Sequence, residues 1–279
     1  MTLQMDFLAA MAESSRARVE AARAVESERE LIARVATLPP PPKLSLDGRF
    51  DLIAELKLRS PAMGLLSGSA DDLEARVLSY AAAGAAIVSV LTEPARFDGS
   101  LDHLRRAARV LAPAGVPAMR KDFLVDPYQL LEARVCGAGG VLLIVRMLDH
   151  STLQRMAAFA AELGLFILLE AFDAAEVAIA ESIANQWRGR PENCLIGVNS
   201  RDLTTLKVVP ERLDELAGCL PRAHPRVAES GLVTAQDAAR LAAAGYTAAL
   251  VGTALMSSAD PIALGQSMIA SGRAARSAT

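Results

Sequence analysis

Short apolar runs alternate with longer amphipathic segments along most of the chain. After each run, apolar residues recur at the spacing of a helix that covers one face of a sheet. Strict alternation of strands and helices predicts parallel strands joined by helical crossovers. Eight such units in 279 residues favour a closed (β/α)8 TIM barrel, with an open doubly wound sheet as the alternative. The predicted strands cover residues 51–56, 86–91, 117–122, 141–145, 166–171, 194–199, 226–230 and 248–252.

The segment before the first strand has a different pattern. Residues 5–36 are rich in Ala, Glu and Arg with apolar residues near helical spacing, which predicts one extra helix. Four consecutive prolines in "TLPPPPKLSL" cannot continue a helix and predict a stiff linker. We therefore expect an N-terminal helix and linker over residues 1–47 and a catalytic barrel over residues 48–279. The pattern leaves open whether the helix covers the barrel mouth, packs on its side or mediates a dimer.

Composition and charge narrow the classes of partner. Apolar residues make up 52% of the chain, enough for a large core. The net charge of −3 provides no basic surface, so no nucleic-acid partner is expected. The three cysteines are widely spaced and predict neither a disulfide framework nor a zinc site. No segment is long and apolar enough to be a signal peptide or a membrane span, so we expect a soluble cytoplasmic protein.

Charged and amide side chains follow most of the predicted strands. In a closed barrel the functional face lies at the carboxyl ends of the strands. One polar strand end is compatible with a salt bridge inside the barrel, but five at the same rim predict an active site with proton donors, proton acceptors and anion-binding groups. These strand ends carry Glu55 and Lys57, then Arg120, Lys121 and Asp122, then Glu170, then Asn199 and Arg201, and finally Glu229 and Ser230.

Glu55 and Lys57 alternate at the end of the first strand, so both side chains point to the same face. An ion pair on a solvated face is one interpretation, but the other polar strand ends favour an inward orientation. A buried lysine near carboxylates can act as a general acid, and a desolvated carboxylate can act as a base. The Lys and Arg side chains at this rim predict a negatively charged substrate.

The last two units carry a second signal. "AESG" at 228–231 and "VGTALM" at 251–256 place Gly231, Gly252 and Thr253 where this fold holds phosphate groups with backbone N–H donors. Each stretch alone is equally typical of an ordinary turn. Their occurrence in both of the expected units favours a phosphate site.

Eight motifs in this order resemble the indole-3-glycerol phosphate synthase family. The resemblance runs from about residue 48 to 262, and the N-terminal helix also matches the extra helix of that family. The motifs are "IAELKLRSP", "VSVLTEPARFDGS", "MRKDFLVDPYQ", "VLLIV", "LLEAFD", "IGVNSRDL", "VAESGL" and "LVGTALM".

The resemblance implies a decarboxylating ring closure in tryptophan biosynthesis. The substrate would be 1-(2-carboxyphenylamino)-1-deoxyribulose 5-phosphate, converted to indole-3-glycerol phosphate with loss of CO2 and water and without metal or organic cofactor. By motif, Lys121 would be the general acid and Glu170 the base of the later dehydration. Lys57 would contact the substrate as the second catalytic lysine. The lysines and the substrate hydroxyls would be oriented by Glu55, Asn199 and Glu229.

The same resemblance implies the binding residues. Arg201 and Ser60 would hold the anthranilate carboxylate and shape its pocket, with Pro61 beside them. Independently of the resemblance, Gly64, Ser67 and Gly68 near Pro61 favour a lid over residues 58–72. The aromatic ring would be enclosed by Phe97, Phe123 and Leu142. The phosphate would be bound by Ser230, Gly231, Gly252 and Thr253.

Two other functions are compatible with this set of residues. An aldolase or lyase would form a Schiff base through Lys57 or Lys121, because a desolvated lysine is also a nucleophile. A barrel that binds a phosphosugar or a partner enzyme without turnover is the second alternative, although the complete set of acidic and basic rim residues disfavours it.

Overall fold

The computed structural model describes residues 7–60, 64–65, 72–187, 189–202, 205 and 207–277. Eight parallel strands close into a barrel, as the alternating pattern predicts. Closure is visible in the register of β1, where Ile53 pairs with Leu250 of β8 on one side and with Ile87 of β2 on the other. The strands are β1 Asp51–Leu56, β2 Ile87–Leu91, β3 Ala118–Lys121, β4 Gly140–Ile144, β5 Phe166–Ala171, β6 Cys194–Asn199, β7 Arg226–Glu229 and β8 Ala248–Val251.

Helices surround the barrel and fill every crossover. In the described part of the chain no helix is both long enough and apolar enough to cross a membrane. Two further two-residue strands, Arg59–Ser60 and Gly64–Leu65, form a small antiparallel pair after β1. The helices are α1 Phe7–Val25, α2 Glu28–Ala36, α3 Leu73–Ala82, α4 Pro94–Phe97, α5 Leu101–Leu111, α6 Tyr128–Val135, α7 His150–Glu162, α8 Ala174–Asn185, α9 Glu211–Ala217, α10 Ala235–Ala243, α11 Thr253–Ser257 and α12 Pro261–Ser277.

The N-terminal segment forms two helices, so the prediction of one helix over residues 5–36 was wrong. The break lies at Ser27, the N-cap of α2. Glu30 Oε2 accepts a hydrogen bond from the Ser27 backbone N–H at 2.7 Å, and Ser27 Oγ accepts one from the Glu30 backbone N–H at 3.3 Å. This reciprocal capping box starts a new helix although the apolar spacing continues across it.

The first helix lies at the barrel mouth, and the linker reaches the opposite end. Leu8 and Met11 of α1 pack in the same cluster as side chains from inside the barrel. Further along, Arg134 donates a hydrogen bond to the carbonyl of Pro39, and a Cβ at Gly164, just before β5, would come within 3.2 Å of the Pro41 ring. The prolines therefore carry the chain from the mouth to the amino end of the barrel, where β1 begins.

Successive side chains of β1 point to opposite faces of the sheet, and this alternation determines which of them lie inside the barrel. Leu52, Ala54 and Leu56 pack outward in the cluster between strands and helices. Ile53 packs inward in the second cluster, which also contains Ile87, Met119, Leu142, Phe166, Leu168, Leu195, Val227, Ala248 and Leu250. Glu55 and Lys57 continue the inward set.

One close approach inside the barrel requires glycine. A Cβ atom at Gly140, the first residue of β4, would overlap the ring of Phe166 on the paired strand β5. The Phe166 ring is fully buried and has little room to shift.

We predict that Gly140→Ala lowers the free energy of unfolding by about 1–3 kcal/mol through overpacking. Gly218→Ala is the matched control, because Gly218 is exposed, adopts a right-handed helical φ of −72° and has open space where a Cβ would stand. Urea unfolding of wild type and both variants measures how much free energy of unfolding each substitution removes. Equal stabilities would contradict the packing assigned to this strand pair.

Candidate active site

A cavity of about 450 Å³ opens at the carboxyl ends of the strands. Among the predicted site residues whose side chains the structure describes, all but Arg120 line it. Pro61 lies outside the described residues, as does the side chain of Ser60 and most of the predicted lid. The predicted residues that line the cavity are Glu55, Lys57, Phe97, Lys121, Asp122, Phe123, Leu142, Glu170, Asn199, Arg201, Glu229, Ser230, Gly231, Gly252 and Thr253.

Glu55 and Lys57 form an ion pair inside the barrel mouth. Lys57 Nζ donates a hydrogen bond to Glu55 Oε1 at 2.6 Å, and the Lys57 side chain is only 11% exposed. A Cβ at Gly252 would overlap this carboxylate and come within 2.8 Å of Lys57 Nζ, so glycine makes room for the pair. Burial alone would raise the pKa of Glu55, but the charges of Lys57 and Lys121 outweigh it and lower the pKa.

Lys121 lies between two glutamates. Its Nζ is 2.9 Å from Glu170 Oε2, to which it donates a hydrogen bond, and 3.5 Å from Glu229 Oε2. Burial opposes the charge of the ammonium group, yet Glu170, Glu229 and Glu55 together raise the pKa of Lys121. Lys121 is therefore a protonated ammonium group at neutral pH.

Glu229 differs from the other two glutamates. Its side chain is 1% exposed, and neither carboxyl oxygen has a hydrogen-bond partner among the described residues. Burial and then the charge of Glu170 raise the pKa of Glu229 well above the ordinary value, and Lys121 offsets them only in part. With Glu229 protonated, the two lysines are balanced by the carboxylates of Glu55 and Glu170, and the group of five carries no net charge.

The chain after β6 is held by backbone-directed hydrogen bonds. Asn199 Oδ1 accepts a hydrogen bond from the Arg201 backbone N–H at 2.9 Å, and Arg212 donates to the carbonyl of Asn199 at 3.0 Å. An isolated antiparallel bridge joins Arg201 to Val208. These contacts fix the backbone of Arg201 at the cavity wall.

A tight turn follows β7 at the cavity, next to the carboxyl end of the paired strand β8. Ser230 and Gly231 both have positive φ angles, 68° and 81°. Ser200 Oγ lies 3.1 Å from the Ser230 carbonyl and 3.2 Å from the Glu229 carbonyl, which it can contact as a hydrogen-bond donor. Together with Gly252 and Thr253 after β8, the turn lines the cavity with backbone of the kind that holds anions.

Three phenylalanines form one wall, and sequence reasoning found only two of them. The Phe97 and Phe123 ring centroids are 6.3 Å apart, and Phe7 meets Phe123 edge to face at 5.8 Å. Phe7 comes from α1 and closes the cavity on that side. Its only signal in the sequence is that it is the single aromatic residue before residue 48.

Asp122 anchors α1 beside Lys121. Arg18 donates two hydrogen bonds to its carboxylate at 2.8 and 2.9 Å, and Thr92 donates a third at 2.7 Å. Burial would raise the pKa of Asp122, but Arg18 and Arg120 hold it at about 2. The prediction that Arg120 belongs to the active-site rim was wrong: it points away from the cavity toward Glu132, because it alternates with the inward Lys121. Further lining residues that sequence reasoning missed are Leu91, Ile144, Val208, Leu232, Val233, Leu250, Val251, Ala254 and Ser257.

Comparisons with known proteins agree on one family. A family model described as indole-3-glycerol phosphate synthase matches residues 8–266. Among proteins named indole-3-glycerol phosphate synthase, the one from Nocardioides sp. is 42% identical over 83% of this chain and 86% of its own. The one from Rhodopirellula baltica is 39% identical over 87% of this chain and 90% of its own. The one from Mycobacterium ulcerans is 39% identical over 93% of this chain and 92% of its own.

Solved structures with low sequence identity share the fold alone. Thiamine phosphate pyrophosphorylase from Pyrococcus furiosus aligns with a TM-score of 0.59 at 15% identity, over 82% of this chain and 98% of its own. 3-Hexulose-6-phosphate synthase from Salmonella typhimurium aligns with a TM-score of 0.58 at 14% identity, over 79% of this chain and 97% of its own.

We predict that Glu229→Gln becomes more stable relative to wild type as pH rises. The raised pKa of Glu229 means that the folded chain binds more protons than the unfolded chain between the ordinary carboxyl value, about 4.3, and the raised value. Wild type therefore loses stability as pH increases through this window, by up to about 1.4 kcal/mol per pH unit, whereas glutamine does not titrate. Urea unfolding from pH 4 to pH 8 measures the difference in free energy of unfolding between Glu229→Gln and wild type at each pH.

Glu55→Gln is the control, because the change of its stability with pH, relative to wild type, should have the opposite sign. The pKa of Glu55 is lowered, so its carboxylate contributes stability above the ordinary carboxyl value and loses it as pH falls. This variant should be less stable than wild type at pH 7, with the deficit shrinking toward acid. The same slope for both variants would contradict the protonation states assigned here.

Proposed function

The chain belongs to the indole-3-glycerol phosphate synthase family, the carboxy-lyases of tryptophan biosynthesis, and on this premise we propose which residues perform the reaction. The reaction closes the ring of 1-(2-carboxyphenylamino)-1-deoxyribulose 5-phosphate to indole-3-glycerol phosphate, with loss of CO2 and water. The observation that supports the proposal best is the Lys121 ammonium group held between Glu170 and Glu229 in a cavity lined largely by apolar side chains.

Lys121 is the general acid for carbon–carbon bond formation. The aryl carbon that bears the carboxylate attacks the ribulose carbonyl carbon, and negative charge develops on the carbonyl oxygen. The Lys121 ammonium group donates its proton to that oxygen and so yields a hydroxyl group. A raised pKa keeps the proton available at neutral pH, and a site with little water strengthens its interaction with the developing charge.

Arg201 and the aromatic wall position the anthranilate part. The guanidinium group suits a carboxylate because it offers paired donors, and it must release the group as CO2 departs. Phe97, Phe123 and Leu142 line the same cavity and enclose the ring. Phe7 from α1 extends this wall.

Glu170 is the base for the dehydration. Once Lys121 has given up its proton, Glu170 loses its cationic partner at 2.9 Å and becomes a better acceptor for the proton that the ring CH2 group beside the nitrogen loses as the double bond forms. Lys57 lines the same cavity and protonates the departing hydroxyl group, with Glu55 at 2.6 Å fixing its position. Asn199 and Glu229 orient the substrate hydroxyls.

The phosphate is bound at the other end of the cavity by Ser230, Gly231, Gly252 and Thr253. We further propose that the barrel from residue 48 carries all reacting groups and that residues before it complete the aromatic wall. The protein would act in the cytoplasm on this small phosphosugar and, with a net charge of −3, would bind neither nucleic acid nor membranes.

The two glutamates beside Lys121 disfavour the Schiff-base alternative at that lysine. A lysine that acts as a nucleophile needs a lowered pKa, whereas the neighbouring glutamates raise the pKa of Lys121. Borohydride in the presence of a ketose phosphate should therefore leave no covalent adduct on the protein.

We predict that Lys121→Ala reduces kcat by at least about two orders of magnitude, because a positioned proton donor is lost. The fluorescence of indole-3-glycerol phosphate reports turnover. Lys43→Ala, an exposed lysine in the linker, should leave turnover unchanged. Near wild-type kcat for Lys121→Ala would rule out its role as the general acid.

We predict that Phe7→Ala raises KM about 3–10-fold with little change in kcat, because the lost ring contact binds the ground state and the transition state equally. Val25→Ala, an 89% exposed position on the same helix, should leave both constants unchanged. An unchanged KM for Phe7→Ala would contradict the contribution of α1 to the substrate wall.

A further inference from the structure

Side chains join the chain after β4 to the chain after β5, just beyond the point where the pairing of these two strands ends. The last paired residues are Ile144 of β4 and Glu170 of β5. Arg146 lies two residues after Ile144, and Phe172 lies two residues after Glu170. Contacts between these two segments therefore act on the backbone directly after Glu170.

Arg146 contacts the segment after β5 in two ways. Its guanidinium carbon lies 4.4 Å from the centroid of the Phe172 ring, which is a cation–π contact. Its Nε donates a hydrogen bond to Glu176 Oε1, and its Nη2 donates one to Asp173 Oδ2 at 3.1 Å. One arginine after β4 thus holds three residues of the turn that leads from β5 into α8.

Glu176 extends this contact to the main chain. Its Oε2 accepts a hydrogen bond from the Phe172 backbone N–H at 2.8 Å, so its two carboxyl oxygens connect Arg146 with the backbone after β5. The Glu176 side chain is only 11% exposed. Burial raises the pKa of this carboxyl, and the hydrogen bond from Arg146 lowers it. Loss of Arg146 would therefore leave a largely buried carboxylate without this ion pair.

The Phe172 ring lies behind the wall of the catalytic cavity. It is 3% exposed and belongs to the same apolar cluster as Phe123, Leu142 and Ile144, which line the cavity. Arg146 itself is not among the described residues that line the cavity. Any effect of Arg146 on the reaction must therefore pass through the backbone and the ring that it holds.

We propose that Arg146 is a positioning residue, which fixes the end of β5 through Glu176 and Phe172 and so holds Glu170 in place for proton transfer. Glu170 must lie beside Lys121, 2.9 Å away, and also reach the substrate proton that it accepts. A displacement of about 1 Å is enough to slow such a step strongly. This inference rests on the proposed role of Glu170 as the base of the dehydration.

The test times the dehydration separately from the earlier steps. In a single turnover, substrate labelled in its carboxyl carbon reports CO2 release, and fluorescence reports the later formation of the indole ring. Arg146→Met removes the charge and the donors, whereas Arg146→Lys keeps a cation near the Phe172 ring. Arg155→Met is the matched control, because Arg155 is exposed and donates to Thr152 of its own helix at 3.1 Å.

We expect Arg146→Met to lengthen the interval between CO2 release and fluorescence by about 5–20-fold and to lower kcat, with KM within about twofold of wild type. Arg146→Lys should recover part of this loss, and Arg155→Met should match wild type. A merely structural defect would slow CO2 release as much as fluorescence. A wild-type interval in Arg146→Met, or no recovery with lysine, would overturn the proposal.

Two further variants separate the possible failures. Glu176→Gln removes the ion pair but keeps an acceptor for the Phe172 N–H, so it should also lengthen the interval, and it serves if Arg146→Met does not fold. Glu170→Gln tests the base itself. A long interval in Glu170→Gln beside a wild-type interval in Arg146→Met would refute the positioning role alone, whereas wild-type turnover of Glu170→Gln would refute the role of Glu170 as well.

Discussion

Two lysine ammonium groups and three glutamate carboxyls share one largely buried barrel mouth, and such a group is stable only when its charges nearly cancel. Lys57 pairs with Glu55, and Lys121 pairs with Glu170. Glu229 is the fifth member, and burial together with the charge of Glu170 raises its pKa well above the ordinary value, which favours the neutral acid. Lys121 stays protonated beside them, with the Glu170 carboxylate 2.9 Å away as its nearest proton acceptor.

The rest of the fold makes this arrangement possible. Parallel strands that end at one rim bring together residues from β1, β3, β5 and β7, and two glycines supply the space they need. A Cβ at Gly252 would overlap Glu55, and one at Gly197 would overlap Glu229. On the outer side, Asp122 binds Arg18 of α1 directly beside Lys121, so the helix that contributes Phe7 is fixed to the strand that carries the ammonium group.

Much of this site could be predicted from the sequence, because the period of a strand is simple. Alternation in "AELK" places Glu55 and Lys57 on one face, and the barrel topology brings the other strand ends to the same rim. The two helices of the N-terminal segment were missed because apolar spacing continues through the break. The sequence does contain the capping signal, Ser27 followed three residues later by Glu30. The contribution of Phe7 depends on how α1 packs, which local patterns do not determine. The protonation of Glu229 likewise depends on its burial and on the distance to Glu170.

The raised pKa of Glu229 is the central claim, and 13C NMR of glutamate side-chain carboxyls across a pH titration tests it most directly. The account predicts one carboxyl resonance that titrates well above the ordinary glutamate range and that disappears in Glu229→Gln. Titration of every glutamate within or below the ordinary range would contradict it.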